Sequence, residues 1–414
     1  MELRKKTVFC EFEFLDKFIS QQPKIVEPTT DSISQMECWL SLYKFIGKAD
    51  LIFNKPIVGT FEENQWFKEE NQWFKYLLKE GTTAPERFPC YCEDTKGLKS
   101  IGDEILNSVI LTTWSDDICD EISKKYGIIV INTNNWHKKK HLYIDNGYAI
   151  RKGDTNVKGW NFLQGPQKKL NICNSLIIID GYLCDDNKKW DEKTGSDKIT
   201  MSWQNKLEWN LKPILLQALP RRLSENIEFE IIVITGQMDN ASYKEQCDKI
   251  QEIINQLCSE KNLSIRIKIS IYLNVINYIN KKGEEKHKSV FHDRCIISNN
   301  LWIGSGYGFG LFDNSNGKMF PIQNTTVNSM YPFFQSHAQW LDVSYLQTLN
   351  NLAAILSANT EKGKNYWGND YSGTCRMVSH YLGNDKKKEH KILRLSETPE
   401  LPKSNLKGKI DLDK

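Results

Sequence analysis

Apolar and polar positions along this chain switch between two periods, and the switches mark the predicted elements. Side chains alternate faces in a strand and recur every 3.6 residues in a helix. The first 35 residues are mixed, and the cap-rich PTTDSISQ (28–35) precedes a helical pattern over ECWLSLYKFIGKA (37–49). SVILTTW (108–114) reads as a buried strand. SDDICDEISKKYG (115–127) reads as a helix with Ser115 as N-cap and Gly127 as its stop, and IIVINTN (128–134) as the next strand. Strand, helix and strand with no hairpin signal point to a parallel α/β layer. Further on, SLIIID (175–180) is a strand, followed by a polar loop to about 200. Leu207, Leu211, Ile214, Leu215 and Leu219 repeat at helical spacing, with a kink expected at Pro213. FEIIVITG (229–236) reads as a strand, residues 241–262 as an amphipathic helix, and LSIRIKISIYL (263–273) as a half-buried strand. HDRCIIS (292–298) and LWIGSG (301–306) flank Asn299-Asn300, which predicts a type I′ hairpin. A strand in 324–334 and a helix over 344–358 complete the pattern.

Length changes that picture first. A chain of 414 residues is too long for one ordinary core and predicts two domains. The boundaries read as residues 1–165, 166–382, and a polar Lys- and Pro-bearing tail over 383–414. Hydrophobic residues at 40% and charged residues at 26% are those of a globular protein. The 55 basic residues nearly balance 52 acidic ones, leaving +3, so any basic footprint must be local. No apolar run approaches the ~18 residues of a membrane span, and the N-terminus reads as lacking a leader. Eleven scattered cysteines then predict a cytoplasmic protein with reduced thiols.

Several features invite chemistry and have plainer readings. Asp116, Asp117 and Asp120 sit where a carboxylate suits a helix dipole, and such a cluster also fits a metal site. The basic run HKKKH (137–141) fits a phosphate contact or a solvated loop. Cys90 and Cys92 lack a second pair at zinc-finger spacing, so neither a metal nor a cofactor is expected. EENQWFK occurs twice in succession (62–75), which stacks Trp66 and Trp73 on one helix face and predicts a longer docked helix. The sharpest signal is His292 and Arg294. Two residues apart in a strand, they would project side by side, a candidate nucleophile or acid beside a fork-shaped cation.

With strands and helices in this order, His292-Asp293-Arg294, Asn299-Asn300 with Trp302, Gly304-Ser305-Gly306, Phe309 and Thr325-Thr326-Val327 resemble the phospholipase D superfamily. The nearer resemblance is to the degenerate phospholipase D-like domain at the C-terminus of MIT-domain proteins. It covers roughly residues 170–345, and the N-terminal half lies outside it. In active members the motif reads HxKxxxxD followed by a GS turn. The resemblance therefore places the nucleophile on His292, the phosphate-binding cation on Arg294, the carboxylate on Asn299 and the turn on Gly304-Ser305. Arg for Lys keeps the cation. Asn for Asp removes the group that would orient an imidazole, a loss worth ~10⁴ in rate in serine-protease triads. That chemistry also uses two histidines, and only one HxR occurs.

The fold expected is α/β in two domains, an N-terminal mixed α/β domain and a C-terminal phospholipase D-like α/β sandwich. Arg294, Gly304, Ser305 and Gly306 are the expected phosphate-binding set, with His292, Arg294 and Asn299 as the catalytic positions in an active relative. The function read from these residues is recognition of a phosphate-bearing ligand without catalysis, such as a nucleic-acid backbone or nucleotide. A link to defence against foreign nucleic acid is a further expectation by analogy. Two alternatives stay open: a nuclease or phosphodiesterase pairing His292 across a homodimer, and a purely structural module. A membrane surface enters as a partner by resemblance alone.

Overall fold

The computed structural model describes residues 7–24, 28–54, 106–143, 146–164, 170, 172–236, 242–292, 294–331, 334, 339–358, 366–368, 375–377 and 393–394. The duplicated EENQWFK, Cys90 and Cys92, and Asp293 lie outside these residues.

The first sheet contains β1 (Thr7–Cys10), β2 (Asp50–Phe53), β3 (Ser108–Thr112) and β4 (Ile129–Asn132), parallel in the order β2-β1-β3-β4. Three helices connect them: α1 (Phe12–Ser20), α2 (Thr30–Lys48) and α3 (Asp116–Tyr126). Thr29 and Ser32 form the capping box that starts α2, about two turns earlier than the apolar pattern alone places it. Gly127 ends α3 at φ +63°, as the sequence predicts. The aromatic residues of α1 and α2 hold the two helices together, with Phe18 stacked on Trp39 at 5.3 Å and Trp39 Nε1 donating to Phe18 O at 3.0 Å.

The second sheet has eight strands. Its members are β5 (Asn146–Ile150), β6 (Ser175–Ile179), β9 (Glu228–Thr235), β10 (Arg266–Leu273), β13 (Cys295–Ser298), β14 (Trp302–Ser305), β17 (Thr325–Met330) and β18 (Tyr366–Gly368). Their order is β18-β10-β9-β6-β13-β14-β17-β5, with β6, β9 and β10 parallel and the rest antiparallel. Three hairpins stand outside it: β7 (Asn187–Asp191) with β8 (Ser196–Met201), β11 (Val275–Ile279) with β12 (Glu285–Ser289), and β15 (Phe312–Ser315) with β16 (Lys318–Pro321). The first of these replaces the polar loop expected before residue 200.

Strand alternation sorts the core onto two faces. Leu176 and Ile178 of β6 join one buried cluster with α4 (Trp203–Lys206), α5 (Lys212–Ala218) and α6 (Tyr243–Glu260). Ile177 and Ile179 join another with Leu349, Leu352 and Ile355 of α7 (Gln339–Ala358). Between α4 and α5 the chain makes a π-helical turn, Leu207–Leu211, and Pro213 opens the segment that follows. The kink expected at Pro213 therefore coincides with a π-helical turn just upstream, and the ring sits in a first helical turn, where its missing N–H costs least.

Two strands pair outside the spans expected for their sheets. Strand β5 pairs with β17, and Trp160 packs against Phe309 and Phe312, so the second sheet begins before residue 166. Leu393–Arg394, inside the expected polar tail, pairs with β2 as an edge strand, β19. No helix among the described residues is long and apolar enough to cross a membrane.

Candidate functional site

Asn274, buried just after β10, fixes the chain that leads into the predicted site. Its Oδ1 accepts from Phe291 N at 2.9 Å and its Nδ2 donates to Phe291 O at 2.9 Å. His292 and Arg294 follow directly, ahead of β13 and outside any strand. Strand spacing therefore does not set their geometry, and the two differ in setting: His292 is exposed, Arg294 half-buried. They are nonetheless brought together. Both line a cleft of about 400 Å³ between the sheet and α7, along with Gly304, Ser305 and Gly306. Trp302 forms part of its wall, and its indole lies across Gly304, where a Cβ would come within 2.1 Å of the ring. Gln347, Thr348 and Asn351 of α7 face the cleft from the other side.

Arg294 is held on three sides. One terminal nitrogen donates to Gly306 O at 3.0 Å, the guanidinium carbon lies 4.7 Å from the Tyr182 ring centre, and Nε stands 3.9 Å from Asp180 Oδ1. That last contact is an ion pair beyond hydrogen-bonding range, and Nε is buried without a hydrogen-bond partner. Asp180, at the carboxyl end of β6, is 2% exposed and accepts from Phe309 N at 2.7 Å and Tyr182 N at 2.9 Å. Burial raises its pKa above the ordinary carboxylate value, against the opposing pull of those two amides and of the Arg294 and Lys206 charges. Lys206, equally buried, donates to Tyr182 O at 3.1 Å, and burial lowers its pKa. Gly308 is required here: it sits at φ +95°, and a Cβ would come within 2.7 Å of Asp180 Oδ2 and 2.9 Å of Arg294 Cδ.

Two expected site residues are placed otherwise. Asn299 is fully buried at the far end of β13, where its Nδ2 donates to Leu106 O and Gly127 O and its Oδ1 accepts from Asn174 N. It belongs to the joint between the two sheets, because β13 carries its end away from His292. Ser305 lines the cleft, but its hydroxyl donates to Gly308 O at 2.6 Å and its N–H to Arg294 O at 3.2 Å. Those donors are committed inside the turn, which leaves Arg294 as the cationic side chain of the cleft lining among the described residues. The Asn299-Asn300 turn is also not type I′, since neither residue has positive φ.

Sequence reasoning overlooked Lys206 and Tyr182. Lys206 occupies the buried stripe set by Trp203, Leu207 and Leu211, where a charge among apolar residues at helical spacing was the available signal. Asp116, weighed as a metal ligand, instead accepts from Asn132 Nδ2 at 2.8 Å and Asn135 Nδ2 at 3.0 Å. No group of three or more His, Cys, Asp or Glu among the described residues is arranged to hold a metal ion.

No protein-family model matches the chain, and no curated protein matches it. Among solved structures, the C-terminal lobe of a budding yeast Argonaute is similar at 12% identity over 88% of this chain and 76% of that one, with a TM-score of 0.16. A likeness that slight carries no argument about this chain.

Proposed function

We propose that the chain recognises a phosphate-bearing ligand at the His292–Arg294 cleft, as a phospholipase D-like protein that does not catalyse. The observation that supports this is the lining of one cleft by His292, Arg294 and the Gly304–Gly306 turn. A guanidinium presents planar donors that match a phosphate, and a nearby imidazole adds a donor when protonated. Catalysis fits less well. Phosphodiester transfer by this route uses one imidazole to attack and another to protonate the leaving oxygen. Among the described residues, His292 is the one histidine that lines the cleft, and Asn299 makes its bonds elsewhere.

A second reading has its own observation. The Asp180 ion pair and the Tyr182 contact occupy part of the guanidinium, which fits a purely structural Arg294 pinning the turn to β6. Calorimetric titration with inorganic phosphate separates the two. Binding that Arg294→Ala abolishes, with no hydrolysis of a generic phosphodiester by the wild-type chain, supports recognition. Absence of binding in a wild-type chain that melts cooperatively refutes it and leaves the structural role.

A further inference from the structure

A basic arm rises from the wall of the cleft. Strands β11 and β12 pair over five positions, from Val275 opposite Ser289 to Ile279 opposite Glu285. Asn280 closes the tip, its Oδ1 accepting from Lys282 N at 2.9 Å and Glu284 N at 3.0 Å. Asn274 fixes the base, so the residue that aims the arm also sets the backbone entering His292. Lys281, Lys282, Lys286 and Lys288 are all exposed on this arm, against Glu284 and Glu285, with Lys286 paired to Glu284 at 3.3 Å. The register sets Tyr278 opposite Lys286 and next to Lys288 along the same face, leaving the ring 46% exposed beside cationic side chains. Two more rings are exposed: Tyr182, 57% exposed with the Arg294 guanidinium against it, and Tyr307, 40% exposed and next in sequence to Gly306, whose carbonyl accepts from Arg294.

We infer that arm, cleft and rings form a track for single-stranded nucleic acid, with one backbone phosphate at Arg294 and bases stacked on Tyr278, Tyr182 and Tyr307. The inference rests on the phosphate reading of the cleft and names its ligand. A polymer that repeats an anion and a flat ring matches a surface that repeats cations and exposed rings. A duplex hides its base faces within the stack and leaves the rings unused. A lipid surface fits worse. Tyr278 and Ile279 are neighbours in a strand and project to opposite faces, so they form no single insertion patch. The tip beyond them carries Lys281, Lys282 and Glu284 rather than apolar residues.

The test uses the full chain and a fluorescein-labelled oligothymidylate of about twelve nucleotides, read by anisotropy across a salt series. The wild-type chain should bind, Tyr278→Ala should weaken binding about tenfold, and the double variant Lys282→Ala, Lys288→Ala should flatten the salt slope by about 1.4. Neither variant should change the melting temperature or the affinity for inorganic phosphate, whereas Arg294→Ala should lose both ligands. Phosphate binding without oligonucleotide binding, or oligonucleotide binding indifferent to Tyr278 and the two lysines, overturns the track and leaves the cleft reading intact. Failure of the wild-type chain to bind phosphate removes that reading, and with it this inference. Arm-dependent binding to vesicles of acidic phospholipid, with no oligonucleotide binding, assigns the arm to membranes and overturns the proposal.

Discussion

Asp180 sets the character of the site. It is a buried carboxyl between two cations, and it also receives two backbone amides that shape the turn carrying Phe309. On the phosphate reading proposed above, an anion in the cleft would meet an Arg294 whose charge is already partly balanced by Asp180. Asp180→Asn should destabilise the protein by roughly 2 kcal/mol at neutral pH, because an amide has one oxygen for the two backbone N–H groups, of Tyr182 and Phe309, that the carboxyl accepts. Chemical denaturation with the wild-type chain in parallel measures this. The pH dependence follows from the raised Asp180 pKa. Below the ordinary carboxylate range both folded and unfolded chains hold the proton. As pH rises through that range the unfolded chain releases it first, so this residue's contribution to stability falls until the buried carboxyl ionises. Wild-type stability should carry that downward component just above about pH 4, and Asp180→Asn should lack it. His292 and Arg294 were legible in the sequence because two polar residues before an apolar run stand out. Their partners were less so, since nothing in the local pattern shows that Lys206 on one helix meets Tyr182 on a distant turn.

Among elements, the β13–β14 hairpin shows how one sequence signal can serve two purposes. Asn-Asn between apolar strands reads as a positive-φ turn, yet both residues keep negative φ and use their amides on carbonyls of Leu106, Gly127 and Ile172. The positive-φ pair lies instead at Asn316-Gly317, φ +53° and +76°, in the β15–β16 hairpin that the apolar pattern did not resolve. Strand positions were readable from apolar runs, but the partners of the Asn side chains are residues more than 100 positions away. Asn299→Asp would supply the carboxylate that the phospholipase D pattern, by resemblance, expects at this position. It should confer no phosphodiesterase activity, since the side chain points into the joint. It should cost about 3 kcal/mol or more, because a carboxylate cannot donate to two buried carbonyls. Thermal melting and a phosphodiester cleavage assay on the same sample check both halves.

For the whole molecule, one buried apolar cluster runs from Val8 and Val109 in the first sheet to Leu176 and Ile296 in the second. The mixed α/β character was legible from alternating periods, whereas strand β5 was not, because it lies in a basic, Gly- and Asn-rich segment. A fragment of residues 166–382 removes β5 and Trp160, uncovering the edge of β17 and the rings of Phe309 and Phe312. It should bind a hydrophobic dye and unfold without a sharp transition, unlike the full chain. Strand β13, four residues long and hydrogen-bonded on both sides, joins the cleft at one end to Asn299 at the other. If occupancy of the cleft shifts that strand, the seam between the sheets and the anion are thermodynamically linked, and the linkage runs both ways. Loosening the seam would then weaken the grip on the ligand by the same factor that the ligand tightens the seam, which amide exchange at Gly127 and Asn174 would report.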